Sequence, residues 1–296
     1  DIAALQDTGL THAVGARLEP DDVAEDRAAQ RIATALAGRG VAMTAPFTGR
    51  VNLTALMDGV ATLDVAKLQA LNLIDEVVTV ATVLPFERVS AGQMIATIKI
   101  IPFGVPERHV AAAEKLAVAG LVSVAAFKAR RAGLVLTRLT GTKESVLAKR
   151  QRVIGERIAA LGGTIELVEI CAHEPRAIAK AIKALDYKGL DPIMVFAASA
   201  IIDREDVVPA GVVAAGGQVL HVGMPVDPGN LLMLGKLHTA DVIGIPSCAA
   251  SPKLNGFDWV LERLAAGLPV GSVQTAAMGV GGMLKAIPPP PPPPQR

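Results

Sequence analysis

The stretch GLVLTRLTGTKESVLAKRQRVIGERIAALGGTIELVEI, residues 133–170, decides the fold class. Gly133 to Leu139 (GLVLTRL) is a short, mostly apolar run of the kind that forms a buried strand. Thr140-Gly141-Thr142 is a turn. From Glu144 to Leu161 the residues Val146, Leu147, Val153, Ile154, Ile158 and Leu161 keep one helical face. Gly162-Gly163 supplies the helix stop, and Thr164 to Ile170 is a second strand. Strand, helix and strand at this spacing predict a right-handed crossover between parallel strands.

Downstream the pattern continues with a helix at Pro175 to Leu185, a strand at Pro192 to Phe196 and a polar turn. Strands at Val219 to Val222 and Val242 to Ile245 follow, with the Asp227-Pro228-Gly229-Asn230 turn between them, and then a helix at Phe257 to Ala266. The expected domain is α/β: a three-layer α/β/α arrangement around a mostly parallel sheet. Upstream, Asp1 to Gly9 reads as the end of a helix, Thr11 to Leu18 as a strand, and Asp21-Asp22 as an N-cap for an Ala-rich helix ending at Gly38. Short β-rich runs at Val77 to Val83 and Met94 to Ile101, separated by turns, give this part a mixed α+β texture. Pro102, Gly104 and Pro106 punctuate the chain before a helix at Val110 to Val118. The division expected is therefore an α+β unit over 1–106, the α/β domain over 107–270 and a segment over 271–296. That last segment ends in the proline run Pro288 to Pro294, which is expected to be an extended tail.

The 296 residues include 29 Lys and Arg against 28 Asp and Glu, so no global field recruits nucleic acid or an anionic membrane, and an anion must be held by a local site. Aromatic residues are 3% of the chain, so the cores are expected to be built from Ala, Val, Leu and Ile. Cys171 and Cys248 form no C-x-x-C pair, which argues against a disulfide scaffold or a cysteine zinc site and fits a reducing, cytoplasmic location. The apolar run Leu116 to Phe127 is broken by Gly120 and Ser123, and Asp1 to Leu5 carries no signal-peptide pattern. The histidines lack zinc-binding spacing, and nucleophile-elbow, dinucleotide and Walker A motifs are missing.

Three turns can carry chemistry, because ligands of a parallel sheet bind beyond the carboxyl ends of its strands. Thr140-Gly141-Thr142-Lys143-Glu144 follows a strand and opens a helix, so its amides, hydroxyls and Lys143 suit a phosphate; plain capping residues look the same. Ala197 to Asp206 follows a buried strand and holds Asp203, Glu205 and Asp206 beside Arg204. That is either a carboxylate site for Mg²⁺ or a loop that caps the helix starting near Val207. Gly223 to Asn230 is a stiff loop that either lines a site or is a structural turn.

In order and spacing these turns resemble the molybdopterin-binding domain shared by molybdopterin adenylyltransferases, molybdotransferases and competence-damage proteins. The likeness runs from Gly133 to Gly267 through Thr140 to Glu144, Ala197 to Asp206, Val226 to Asn230 and Gly244 to Ala249. The whole chain, with Thr48 to Leu53 and Asn255 to Trp259, looks more closely like bacterial molybdopterin-binding proteins that often carry a nucleotidyltransferase domain. The resemblance implies binding of a pterin phosphate by Thr140, Gly141, Thr142, Lys143, Glu144, Ala198, Ser199, Asp227, Pro228, Gly229, Asn230 and Ser247. It also implies Mg²⁺ and catalysis at Asp206 and Asp203, a nucleotidyltransferase partner, separate or fused, and a homo-oligomer. This chain departs from the family pattern at three places: Ala198-Ser199 replaces a Gly-Gly pair, Lys143 holds the place of an acidic residue, and Pro246-Ser247-Cys248-Ala249 replaces Pro-Gly-Asn-Pro. Two readings follow, a binding module for molybdenum-cofactor synthesis or handling, and a Mg²⁺-dependent transferase acting on molybdopterin.

Overall fold

The computed structural model describes residues 6, 7, 9, 12, 15–117, 120–227 and 229–284, and the chain divides into two compact units, Asp1–Ala126 and Phe127–Arg296. In the first unit β1 (Asp22–Ala24) leads into α1 (Glu25–Leu36), followed by β2 (Val41–Met43), β3 (Arg50–Ala55) and β4 (Gly59–Leu63). Then come α2 (Val65–Asn72), β5 (Val78–Thr82), β6 (Arg88–Val89), β7 (Met94–Ile100), β8 (Gly104–Pro106), α3 (Glu107–Leu116) and β9 (Val122–Ala126). The order β2-β3-β7-β5 makes one antiparallel sheet and β6-β4-β9 another. In α1 the residues Ala28, Ala29, Ile32, Ala33 and Leu36 are spaced along one face and fully buried among Leu53, Ile98 and Ile100. Arg31, on the same helix, forks to Glu107 and Glu114 of α3, the two Nη contacts being 2.6 and 2.7 Å, which fixes the helix pair.

Several expectations change here. Asp22 lies in β1, paired with Pro106, and its carboxylate accepts from the Glu19 amide, so it caps no helix; α1 starts at Glu25 and stops at Leu36. Residues 15–18 form no strand and Leu18 is exposed, while Thr11, Ala13 and Val14 lie outside the described residues. The chain divides after Ala126, where Pro106 was expected to mark the boundary. The reason is pairing: β8 joins β1, α3 packs on α1, and β9 completes the sheet with β4. Helix α3 ends at Leu116, and Val118 lies outside the described residues.

The second unit opens with β10 (Arg131–Arg138), α4 (Glu144–Ala159), β11 (Thr164–Ala172), α5 (Pro175–Tyr187), β12 (Ile193–Phe196) and α6 (Val207–Ala214). It continues with β13 (Gln218–Met224), β14 (Asn230–Leu237), β15 (Ala240–Ile245), α7 (Gly256–Ala265) and α8 (Ser272–Ala277). Six strands form one sheet in the order β11-β10-β12-β15-β14-β13, with β10 parallel to β11 and β12, and β12 parallel to β15. Only β14 runs against the others, pairing antiparallel with both β13 and β15. One face of the sheet, with Leu134, Leu136 and Phe196, packs on α4 and α7 through Leu147, Ile154, Phe257 and Leu261. The other face, with Val135, Ile193 and Val195, packs on α5 and α6 through Ile178, Ile182, Leu185 and Val212. This is a three-layer α/β/α fold, and its strands read as apolar runs because both faces are covered. Each fully buried Ile or Leu stabilises by about 1.5–3 kcal/mol, so the Ile178, Ile182 and Leu185 stripe alone accounts for several kcal/mol.

The segment beyond residue 270 belongs to this unit as far as it is described. The Ser272 hydroxyl donates to the Leu220 carbonyl, Met278 is buried, and the Asp227 amide donates to Gly282 O at 2.7 Å. Residues 285–296, with the expected proline tail, lie outside the described residues. No helix among the described residues is long and apolar enough to cross a membrane.

Candidate functional site

From β10 the chain crosses through α4 to β11 on one side; from β11 it returns through α5 to β12 on the other side of β10. Connections that leave in opposite directions open a crevice at the carboxyl ends of β10 and β12, where parallel sheets take ligands. The turns after β10 and β12 are the first two singled out in the sequence. The β13–β14 hairpin and the loop after β15 lie at this same edge, because β14 is antiparallel to β15. The sheet therefore brings all four candidate segments to one rim.

Thr137 sits at the centre of the crevice. It is the polar residue inside the apolar run of β10, fully buried, and paired in register with Cys171 of β11. Its Oγ1 accepts from the Ala198 amide at 2.7 Å, beyond the end of β12, and lies 2.9 Å from His173 Nδ1, just past the end of β11. His173 Nε2 is in turn 2.7 Å from Ser199 Oγ, and the His173 amide donates to Arg138 O at 3.1 Å. A buried hydroxyl that already accepts from an amide must give its own proton to its other partner, here His173 Nδ1. The opposite assignment would strand the Thr137 proton in a buried place, at a cost of about 1–3 kcal/mol. The imidazole is thus a neutral ring with its proton on Nε2, donating to Ser199. Burial pushes the His173 pKa down, against an opposing pull from the Asp206 carboxylate. Ser199 therefore accepts from the ring, so the arrangement is not that of a serine activated by a base.

The turn after β10 is held by its own atoms. Thr142 Oγ1 accepts from the Leu139 amide at 3.0 Å, the Thr142 amide returns a bond to Leu139 O, and Gly141 takes φ +85°. Thr140, Gly141 and Thr142 line a cleft of about 450 Å³ with Arg138, Ile170 and Cys171. Burial, with Glu169 adding to it, pushes the Cys171 thiol pKa up, so the thiol stays protonated in this cleft. Lys143 is the N-cap of α4, with no side-chain cap bond. Glu144 is exposed and turns to Arg138 at 3.3 Å. Further along α4, the Arg150 guanidinium stacks 4.5 Å from the ring centroid of Phe196, the last residue of β12. Burial pushes its pKa down, and it pairs with no carboxylate among the described residues.

The loop after β12 spends two of its acids, Asp203 and Asp206, on its own backbone. Asp206 Oδ2 accepts from the amides of Ile202 and Asp203, and Asp203 Oδ1 accepts from the Glu205 amide at 2.7 Å. Asp206 occupies the N-cap position of α6 but makes no cap bond to that helix: it staples the residues before it. Arg204 reaches Val219 O and Leu220 O on β13. Among the described residues no group of three or more His, Cys, Asp or Glu is placed to hold a metal ion.

At the far end of the rim, Asp227 (φ +42°) accepts from the Leu284 amide, Gly229 has φ +100°, and Pro228 lies outside the described residues. Asn230 is buried and donates to Asn255 Oδ1 at 3.1 Å, while its own Oδ1 is buried without a hydrogen bond. Asn255 caps α7 and donates to Cys248 Sγ. Ser247 is exposed at the start of a short 3₁₀ turn. Arg157 anchors this loop, pairing with Asp258 at 2.6 Å and donating to the carbonyls of Ala249, Ser251 and Lys253. The residues that meet at the crevice are thus Thr137, His173, Ala198 and Ser199, of which sequence reading had marked only the last two.

No protein-family model and no curated protein matches this chain. Among solved structures, the chain is similar to one titled a crystal structure of molybdenum cofactor biosynthesis protein B. The two share 18% identity, with a TM-score of 0.34, over 47% of this chain and 88% of that one. A second, titled as an anomalous substructure of MogA, also shares 18% identity, with a TM-score of 0.28, over 46% of this chain and 91% of that one. A third, NadC from Streptococcus pyogenes, shares 17% identity with a TM-score of 0.18, over 51% of this chain and 65% of that one.

Proposed function

We propose that the second unit binds a molybdopterin-type pterin phosphate at the carboxyl rim of its sheet and serves molybdenum-cofactor synthesis or handling as a binding module. The observation that carries this reading is the topological crevice between β10 and β12, framed by the two turns whose motif order resembles that family. The rim offers donors suited to a phosphate: the amides of Thr140 and Gly141, the hydroxyls of Thr140 and Thr142, Lys143, the Ser199 hydroxyl and the His173 Nε2–H. Asp227, Gly229, Asn230 and Ser247 lie at the same rim and are the side assigned to the pterin.

A Mg²⁺-dependent transferase would use Asp206 and Asp203 as metal ligands. Each spends a carboxylate oxygen on the loop's own amides, which favours binding over catalysis. The module then presents its ligand to a separate or fused nucleotidyltransferase. Titrating the full chain with molybdopterin, with and without Mg²⁺ and ATP, tests this. Saturable binding without turnover is expected; turnover supports the transferase, and lack of binding overturns the pterin reading in favour of another phosphate ligand such as a sugar nucleotide.

A further inference from the structure

Thr137 and His173 belong to no motif read from the sequence, yet with Ser199 they form a chain that spans the crevice from the central strand to the rim. We propose that the Nε2–H of His173, aimed by Thr137, is the hydrogen-bond donor for a phosphate oxygen of the ligand seated beside Ser199. Thr137 is its positioning residue. This inference rests on the reading of the rim as a phosphate site and assigns that site a contact residue of its own.

Three features of the chain select an oxyanion. First, Thr137 Oγ1 accepts from the Ala198 amide and so must donate to Nδ1, which leaves Nε2 as the ring's protonated nitrogen. The ring is a donor toward the rim, and a ligand amine or ammonium would set N–H against N–H. Second, the present acceptor of that proton is the exposed Ser199 hydroxyl, whose single rotor frees the acceptor place and turns its own O–H toward an arriving oxygen. Third, the second bond of the ring is spent on a buried partner, so the imidazole cannot swing away, and the orientation of the donor is set before a ligand arrives. Asp206 faces the same ring electrostatically and repels an anion, so the donor must outweigh one nearby negative charge.

The test uses the full chain labelled with ¹⁵N-histidine, with inorganic phosphate and molybdopterin as probes. In the free protein the His173 nitrogens should report the Nε2–H tautomer, and each probe should shift that Nε2–H signal. His173→Gln keeps an amide N–H near the Nε2 position and should hold phosphate within about three-fold of the wild type. His173→Asn keeps a polar group near Nδ1 but removes the donor, and should weaken phosphate binding by ten-fold or more. An Nδ1–H tautomer, a His173 signal unmoved by phosphate, or wild-type affinity in His173→Asn overturns the inference. If His173→Asn fails to fold, the wild-type tautomer and titration decide alone. Phosphate bound through His173 with no molybdopterin binding sinks the pterin reading and leaves this inference standing. Molybdopterin bound equally by wild type and His173→Asn does the reverse, and binding of neither probe overturns both.

Discussion

Thr137→Val is the sharpest perturbation of the site because it deletes one oxygen and keeps the volume. The hydroxyl serves two partners, the Ala198 amide at 2.7 Å and His173 Nδ1 at 2.9 Å, inside a fully buried position. Each hydrogen bond contributes about 0.5–1.5 kcal/mol net, and the Ala198 N–H and the ring nitrogen both lose a partner. The methyl that replaces the hydroxyl opens no cavity, so packing loss is small. The expected cost is about 2 kcal/mol, which for a unit of this size lowers the melting temperature by about 4–8 °C. Thr137→Ser is the control: it keeps the oxygen and loses one methyl, costing about 1 kcal/mol. Denaturant unfolding followed on the transition of the second unit measures both, and histidine ¹⁵N shifts report the tautomer. The Val variant should mix the Nδ1–H and Nε2–H forms while the Ser variant keeps one. Were Thr137→Val within about 0.5 kcal/mol of wild type, or Ser more disruptive than Val, the hydrogen-bond account of this crevice would be refuted.

Arg157→Ala should cost about 3 kcal/mol or more by chemical denaturation, because it abandons the largely buried Asp258 carboxylate together with three loop carbonyls; a cost below about 1 kcal/mol would show that the loop after β15 is not anchored there. Asp206→Asn keeps an oxygen for the amides of Ile202 and Asp203, so unfolding free energy should change by less than about 0.5 kcal/mol. Without Mg²⁺ this variant should bind inorganic phosphate more tightly, having lost a repelling charge. With Mg²⁺, a roughly ten-fold loss of molybdopterin retention would mark a metal-assisted site, and unchanged affinity would dismiss one. Because burial holds the His173 pKa below its ordinary value, the unfolded chain takes up a proton near pH 6.5 that the folded chain refuses. The contribution of the ring to stability should therefore be complete above about pH 6.5 and decline as pH falls toward the folded pKa; His173→Gln should flatten the slope below about pH 6.5, and an unchanged slope would exclude His173 as its source.

The parts of this fold that could be read from the chain are those whose causes are local. The β10–α4–β11 unit announces itself through one apolar run, one helical stripe and one Gly-Gly stop, and the structure places β10 at Arg131–Arg138 and α4 at Glu144–Ala159. Strand β14 escaped because NLLMLGKL is buried without alternation and contains Gly235, a residue that weakens a strand pattern. Gly235 is there because a Cβ would come within 2.8 Å of Gln218 O on β13, a neighbour the local sequence does not reveal. The capping role given to Asp21-Asp22 failed for a related reason: pairing of β1 with β8 is made by residues about eighty positions away.

The site divides along the same line. Loops at strand ends are legible because a strand followed by a polar turn is a local pattern, so Thr140 to Glu144 and Ala197 to Asp206 could be marked in advance. Which strands lie side by side is a non-local outcome, and it is that outcome which sets Thr137 between Cys171 and Ala198. His173 sits in a His-Glu-Pro turn that looks like a plain helix start, and its partners are 36 residues back and 26 residues ahead. One signal was nevertheless present: a threonine inside GLVLTRL. A hydroxyl buried in a central strand calls for a hydrogen-bond partner, and here Thr137, one residue before the end of β10, finds two in the loops beyond β11 and β12. Reading Thr137 as a demand for partners, rather than as a neutral strand residue, leads to the loops after β11 and β12 and therefore to His173.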